Sequence, residues 1–513
     1  MCAHFLTETP VILTQSTSPV KVRKKLYDYQ EEDLQLIFER LESCPSDYNL
    51  LYQLPTGGGK TVIFSEIARR YLEKTGLKVL ILTHRIELCG QTHRMLTEFG
   101  VTNKVIDSKV KELPDQDDYL CFVAMVETLK NRLQDNLFTV EKIGLVIIDE
   151  AHYNSFRKLF KYFDQCFILG VTATPLSSNI NLPMKDIYKE LLVGNDIAAL
   201  VSKGYLANVT TYTYDVRLGS LKVGINGDYT VKSSEELYSS TKMQSKLLYA
   251  YNQRLKGKKT LIFNAGIITS KHVYETFKEA KLPIRHLDST MTKNQRKEIL
   301  KWFKQTPDAV LTSVGILTTG FDEPTIRGIM LNRATRSLAL YYQMIGRGSR
   351  VIPGKNTFEV VDLGNNAARF GLWASAVDWQ KIFRSPQYFL QNIITDEEIE
   401  RNFKYVMPEE LRSRFRGTEE VYFDVKKAYQ RVVNEGLRTA TVLDWAIEQH
   451  ALMIRENCED YGESLELIRL LEENIIDRIR RYCYCICNST KNFREWAKDD
   501  YMRRLKRNVA NKF

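Results

Sequence analysis

The sequence predicts an α/β fold: two tandem parallel-sheet domains followed by a mainly helical C-terminal region. Three observations carry this. Short apolar runs alternate with longer stretches of helical periodicity as far as residue 370, the pattern of strands joined by crossover helices. The 513 residues exceed what one core accommodates, and a polar, turn-rich stretch at 219–234 (Gly224, Asn226-Gly227 and Asp228 among it) falls between two sets of strand runs. Beyond Gly371 the strand pattern stops, and 437–454 and 464–480 carry apolar residues at three- and four-residue spacing. The expected division is a flexible tail at 1–20, a first α/β domain at 21–202, a second at 203–371, and a helical accessory region at 372–513 with a basic end.

In chain order, the first set of strands is expected at 50–54, 79–83, 119–124, 145–149 and 167–172. The second is expected at 260–264, 284–287, 309–314, 328–332 and 358–362. These runs are almost continuously apolar, as strands covered on both faces must be. With 44% hydrophobic and 27% charged residues the composition is that of a soluble globular protein. No apolar stretch approaches the roughly 18 to 20 residues that cross a membrane, so no membrane partner is expected. Residues 1–19 lack the basic start and apolar core of a secretory signal.

Nine cysteines are scattered, and only Cys483, Cys485 and Cys487 cluster. Their alternating spacing lacks the two-residue gap of zinc knuckles, so they read as structural thiols in a reducing, cytoplasmic setting. The net charge is +10, and residues 478–513 hold eleven Lys/Arg against three Asp/Glu. Such an end suits a polyanion, because cations that neutralise phosphates release counterions, and equally a solvated helix face. A smaller basic cluster (Lys21, Arg23, Lys24, Lys25) precedes the first folded segment.

The chemistry is concentrated behind the first strand. Leu54-Pro55-Thr56-Gly57-Gly58-Gly59-Lys60-Thr61 is a relaxed P-loop, with Leu54 where the strict pattern has Gly. Glycine between a strand and a helix lets backbone N–H groups close around phosphates; Lys60 then reaches the β/γ-phosphates and the Thr61 hydroxyl faces Mg²⁺. Asp149-Glu150-Ala151-His152 ends the apolar run 145–148, an acidic pair placed to hold Mg²⁺ (Asp149) and to orient water (Glu150). In the second half, Gln343-Met344-Ile345-Gly346-Arg347-Gly348-Ser349-Arg350 sets two arginines three apart, one helical turn, so that both face the same side. Guanidinium forks stabilise phosphoryl charge in a transition state. ATP and Mg²⁺ are the cofactors these residues imply.

Taken in order, the pieces resemble a superfamily 2 helicase with two RecA-like domains, over roughly 26–371. Leu26-Tyr27-Asp28-Tyr29-Gln30 is similar to the adenine-reading Q motif, with Tyr27 where the family has Arg; Tyr27 and Gln30 are its implied nucleotide contacts. The resemblance places Thr83 and Arg85 (in Leu82–Leu88) and Thr128 (in Val126-Glu127-Thr128-Leu129) on strand phosphates. It makes His152, Thr172 and Thr174 coupling residues, and gives Gln343 a bridging role alongside Arg347 and Arg350. Leu317-Thr318-Thr319-Gly320-Phe321-Asp322-Glu323-Pro324 resembles the segment in which Thr318 and Thr319 touch the strand and Asp322 faces the nucleotide. Arg333 to Gln343, with Asp362-Leu363-Gly364-Asn365 and Arg369-Phe370-Gly371, looks like the RadD-type and type I/III restriction-motor branch, without that type's later zinc cysteines. The implied function is an ATP-dependent motor on nucleic acid, DNA favoured over RNA. An RNA helicase and a motor or clamp subunit active only with a partner stay open.

Overall fold

The computed structural model describes residues 25–108, 116–138, 141–179, 181–315, 317, 321–401, 403, 414–415, 423–487 and 490–511. The tail expected at 1–20 and the expected strand contacts Thr318 and Thr319 lie outside the described residues.

Continuous apolar runs need cover on both faces, and each set of strands obtains it as a parallel sheet flanked by its own crossover helices. The first sheet holds β1 (Asn49–Gln53), β2 (Lys78–Thr83), β3 (Lys104–Ile106), β4 (Cys121–Met125), β5 (Ile143–Asp149), β6 (Phe167–Thr172) and β7 (Glu190–Val193), in the order β3-β4-β2-β5-β6-β1-β7. The second holds β8 (Asn208–Thr213), β9 (Thr260–Asn264), β10 (Ile284–Leu287), β11 (Val310–Ser313), β12 (Gly328–Asn332) and β13 (Thr357–Asp362), in the order β10-β11-β9-β12-β13-β8. Every pairing in both sheets is parallel. The central strands are sealed: Leu80, Ile81, Val146, Ile147, Leu261 and Ile329 are fully buried. Each such side chain contributes about 1.5–3 kcal/mol relative to exposure.

All ten expected strands are present, and β3, β7 and β8 join them. These three are edge or near-edge strands with one face partly wet, so they show no long apolar run. β8, for example, is Asn-Val-Thr-Thr-Tyr-Thr and half-exposed throughout.

The helical region expected from 372 onward is divided. Residues up to Ile394 belong with the α/β sheets, and Thr395–Phe513 form a separate unit. In the first part, helix Trp379–Arg384 lies on the edge of the first sheet, where Gln380 Nε2 donates to the Leu191 carbonyl at 2.8 Å. The Trp379 ring meets Tyr342 of the second domain edge-on at 5.8 Å. One short helix therefore touches both α/β domains.

The C-terminal unit is helical, as the periodicity predicts, including Thr441–Glu456, Tyr461–Leu470, Glu472–Cys485 and Lys491–Ala510. The helical periodicity at 464–480 runs across two helices, parted at Leu471. Many of the basic residues after 478 have intramolecular partners. Arg478 is buried and donates to the Ala446 carbonyl and Gln449; Arg481 pairs with Asp477, Arg504 with Asp444, and Lys498 with Glu472. The last helix carries buried Ala497, Tyr501, Leu505 and Val509, so the basic end is a packed amphipathic helix. Cys483 is buried in the same core.

His450 is fully buried in this unit, with Nε2 donating to Asn474 Oδ1 at 3.1 Å and Tyr501 OH donating to Nδ1 at 2.9 Å. Burial, then the Arg478 charge, hold its pKa well below the usual imidazole value. The unfolded chain protonates this ring near pH 6.5 while the native chain does not. Its stabilisation is therefore complete above about pH 6.5 and is lost as pH falls below that value. Thermal unfolding midpoints measured from pH 7.5 to 5 are expected to fall, and His450→Gln is expected to flatten that slope.

Candidate active site

The turn after β1 is shaped by its glycines. Gly57 and Gly59 have φ of +94° and +85°, a region closed to most side chains. Helix Lys60–Thr75 starts directly at the loop, so its N-terminal amides and Thr61 share the mouth that Lys60 faces. Lys60 Nζ donates to the Leu54 carbonyl at 3.3 Å. Burial lowers its pKa, and the Glu150 and Asp149 charges oppose that. The loop is clamped from behind: Tyr29 OH donates to the Gly58 carbonyl at 2.7 Å and Gln30 Nε2 to the same oxygen at 3.3 Å. Gln30 Oε1 accepts from the Tyr27 backbone N–H at 3.0 Å, so the Gln30 side chain ties the start of the first helix to the loop. Tyr27, 53% exposed, leans on Tyr205 with ring centroids 4.5 Å apart.

The acidic pair sits where β5 ends. Asp149 Oδ1 accepts from the Glu150 N–H at 3.0 Å. Glu150 has a left-handed φ of +53°, a strained conformation that costs a non-glycine residue about 1–3 kcal/mol. Its Oε2 is buried without a hydrogen-bond partner. Burial and the Glu150 charge push the Asp149 carboxyl up to about 7. Two carboxylates and a hydroxyl beside a lysine form an oxygen donor set that suits Mg²⁺. Among the described residues no three His, Cys, Asp or Glu converge on one point.

His152 Nδ1 lies 3.0 Å from Thr172 Oγ1 and 3.5 Å from Glu150 Oε2. Thr172 Oγ1 donates to the Thr174 carbonyl and accepts from the Thr174 N–H, both at 3.1 Å. The three expected coupling residues therefore form one chain behind Glu150. The expected bridge between domains takes another route: Gln343, buried on helix Leu338–Gly346, lies beside the hydroxyl of Tyr153, the residue after His152.

The two arginines do not share a helical turn. The helix ends at Gly346, Arg347 caps it, and Arg350 lies in an antiparallel bridge with Leu206. Gly348, just beyond, faces the Phe358 ring, where a Cβ would approach to 2.3 Å. Both side chains still reach the cleft. Arg347 Nη1 donates to the Phe321 carbonyl at 2.7 Å; burial, then the Arg350 charge, lower its pKa to about 10. Arg350 Nε donates to Asp322 Oδ1 at 3.0 Å, and its Nη1 crosses to the Gly57 carbonyl at 2.9 Å. Thr56 also meets the second domain, where a Cβ on Gly346 would lie 2.5 Å from Thr56 Cγ2.

The expected strand contacts divide. Arg85 and Thr128 are partly exposed at the starts of helices Ile86–Glu98 and Val126–Gln134. Thr83 is fully buried, its hydroxyl 2.9 Å from Cys89 Sγ and donating to the Arg85 carbonyl at 3.3 Å, so it shapes the turn from within. Sequence reasoning missed Tyr29, Tyr153, Tyr205 and His84. Tyr153 lies between two imidazoles, 4.1 Å from His84 and 4.3 Å from His152. Both His84 ring nitrogens are buried without partners, and burial lowers its pKa to about 4. Only their place inside or beside the motifs could have flagged these residues.

Residues 23–177 match the family described as type III restriction enzyme, res subunit, and residues 241–351 match the helicase conserved C-terminal domain. A 51.5 kDa protein of a Lactococcus phage is 28% identical over 65% of this chain and 69% of its own length. The IRC3 protein of Saccharomyces cerevisiae, whose name describes an ATP-dependent helicase, is 27% identical over 67% of this chain and 53% of its own length. The chain thus spans about half to two thirds of the curated relatives it matches. A fragment of an HsdR subunit of a type I restriction enzyme from Vibrio vulnificus superposes with a TM-score of 0.53 at 20% identity, covering 68% of this chain and 65% of that one.

The Tyr29 hydroxyl is a single, removable clamp on the phosphate loop. A neutral hydrogen bond of this kind contributes about 0.5–1.5 kcal/mol, so Tyr29→Phe should raise the KM for ATP about three- to tenfold, with kcat nearly unchanged. Steady-state ATPase titrations of the two proteins check this.

Proposed function

We propose that this chain, a superfamily 2 helicase near the restriction-motor branch and hence an ATPase, couples ATP hydrolysis to movement along DNA and to its unwinding or remodelling. One observation carries the reading. Arg350 of the second domain reaches the phosphate loop of the first at Gly57, beside Lys60, Asp149 and Glu150. A site assembled from both domains links the state of the nucleotide to the spacing between them.

Each residue has a physical part in this reading. The loop amides and Lys60 bind the phosphates, and Tyr29 and Gln30 fix the loop from behind. Thr61 and Asp149 would hold Mg²⁺, which neutralises charge on the phosphates when bound. Glu150, with an unpartnered oxygen, orients the attacking water. Arg347 and Arg350 supply positive charge on the opposite side. Asp322 orients the Arg350 guanidinium. Tyr27 and Tyr205 offer an aromatic surface to the base.

Arg85 and Thr128 in the first domain, with Thr318 and Thr319 in the second, grip the strand backbone. Contacts of this kind give little sequence specificity and strong salt dependence. The preference for DNA is supported by the restriction-enzyme character of the matched family and of the similar fold. Free cysteines (Cys44, Cys89, Cys121, Cys166 and four others) suit a reducing cytoplasm. The likeness to an HsdR subunit favours a second reading, a motor that needs a partner for full activity.

ATPase of the wild type should rise with single-stranded or forked DNA more than with RNA. Stimulation mainly by RNA would reassign the substrate, and none with any nucleic acid would favour the partner-dependent reading. Lys60→Ala should abolish hydrolysis while DNA binding persists. Glu150→Gln should lower turnover by about a hundredfold or more and retain ATP on filter binding; normal turnover would remove Glu150 from its role.

A further inference from the structure

The most exposed large apolar side chain among the described residues is Ile225, whose side chain is entirely in solvent. It stands at the tip of a short hairpin that follows β8. The hairpin closes through the bridge Val223↔Tyr229, with Gly224 N–H donating to the Asp228 carbonyl at 2.8 Å and Thr230 N–H to the Lys222 carbonyl at 2.8 Å. Gly227, with φ of +80°, makes the turn. Val223, beside Ile225, is also 49% exposed.

An apolar tip on a floppy loop would say little, but this one is mounted on a rigid base. The Asp228 carboxylate accepts from Thr335 Oγ1 at 2.7 Å and from the Arg336 N–H at 2.7 Å, and Arg333 lies 3.5 Å away. Tyr229 is buried, and its hydroxyl accepts from Arg369 Nη2 at 2.9 Å, while Arg369 Nη1 donates to the Thr335 carbonyl at 3.0 Å. Upstream, Asn365 holds the Val216 backbone through both its N–H and carbonyl. The hairpin is therefore fastened to the segments that leave β12 and β13.

Parallel pairing places these segments on one edge of the sheet. The chain leaving β11 at Ser313 emerges from that same edge. Lys222 and Arg336 are both exposed at the foot of the hairpin, cations beside an apolar tip. That combination suits a nucleic acid whose phosphates are held at the flanks and whose bases are met end-on. Apolar side chains that enter base steps unstack them.

We infer that the Lys222–Thr230 hairpin is a strand-separating pin, with Ile225 stacking on the terminal base pair where single strands enter a duplex. The inference rests on the proposed DNA-motor reading and assigns its unwinding step to one side chain.

The test compares wild type, Ile225→Ala, Ile225→Asp and Ile225→Phe in the full-length chain, and each is read in three ways. ATPase on single-stranded DNA and displacement of streptavidin from biotinylated DNA report the motor; strand separation of forked duplexes with either arm polarity reports the pin. A charge in place of an apolar wedge at the terminal base pair should slow strand separation about tenfold or more in Ile225→Asp, less in Ile225→Ala, with Ile225→Phe near wild type. ATPase and streptavidin displacement should stay within about twofold in all three, since Ile225 touches nothing in the fold. Unchanged strand separation in Ile225→Asp overturns the pin. So does a parallel loss of all three activities, and so does a wild type that displaces streptavidin but separates no duplex. A wild type with no nucleic-acid-stimulated ATPase removes the motor reading itself, and the pin with it.

Discussion

Parallel strand pairing is the constraint on which the rest of the molecule depends. It buries both faces of each sheet, so the strand interiors are apolar and carry no chemistry. It also sends every strand-to-helix loop out of the same edge. In the first domain that edge presents the phosphate loop after β1, Arg85 after β2, Thr128 after β4 and Glu150 to Tyr153 after β5. Asp149 is the last residue of β5 and Thr172 the last of β6, with Thr174 just beyond. In the second domain the same edge presents Asp322, Arg333 to Ser337 and Asn365 to Arg369. Side chains distant in sequence meet because strand order, not chain order, decides which loops are neighbours.

Within the cleft these neighbours are charged and sparingly solvated. Burial lowers the Lys60 and Arg347 pKa values and raises that of Asp149. Each pKa is thus displaced toward the neutral form, a desolvation cost that opposite charge from a polyphosphate and its cation would offset. The Arg350–Asp322 pair is different in kind. Its side chains are 36% and 52% exposed, so the pair is weak and exchangeable. A phosphate oxygen is a stronger partner for a guanidinium than the Gly57 carbonyl, since it carries a full negative charge and accepts the planar fork in a bidentate fashion. Arg350 is accordingly bound firmly enough to be oriented and loosely enough to change partner.

Much of this was legible in the sequence, for identifiable reasons. Ten strands announced themselves as apolar runs, and the phosphate loop and acidic pair announced themselves by residue type. What stayed hidden depended on distance or on exposure. β8 is polar because it closes an edge. Asp228 meets Arg336 across more than a hundred residues, and no local pattern marks such a pair. The helical-turn reading of Arg347 and Arg350 failed because it counted residues through Gly346 and Gly348, where helix propensity is lowest. Charge counting alone left two readings open at the C-terminal end, a polyanion site and a helix face. Arg478, Arg481, Lys498 and Arg504 are as basic in composition as any surface residue, yet each is engaged within its own unit. Formal charge in a sequence is an upper limit on the charge a surface can offer.

The glycines of the cleft show how closely its two halves are fitted. Gly57 is usually understood through φ alone, yet a Cβ there would also lie 2.5 Å from Ser349 Oγ of the second domain. A Cβ on Gly346 would meet Thr56 of the first at the same distance. Gly57 is therefore small for two independent reasons, the turn of the phosphate loop and the approach of the facing domain, and Gly346 for the second alone. The Arg350 contact with the Gly57 carbonyl exists only at that approach. A methyl group at Gly346 leaves the loop dihedrals untouched and still forces the surfaces apart by about an ångström. Misplacement on that scale costs about a hundredfold where catalysis depends on alignment. The spacing between the domains, rather than the identity of the arginines alone, is what makes the cleft a single site.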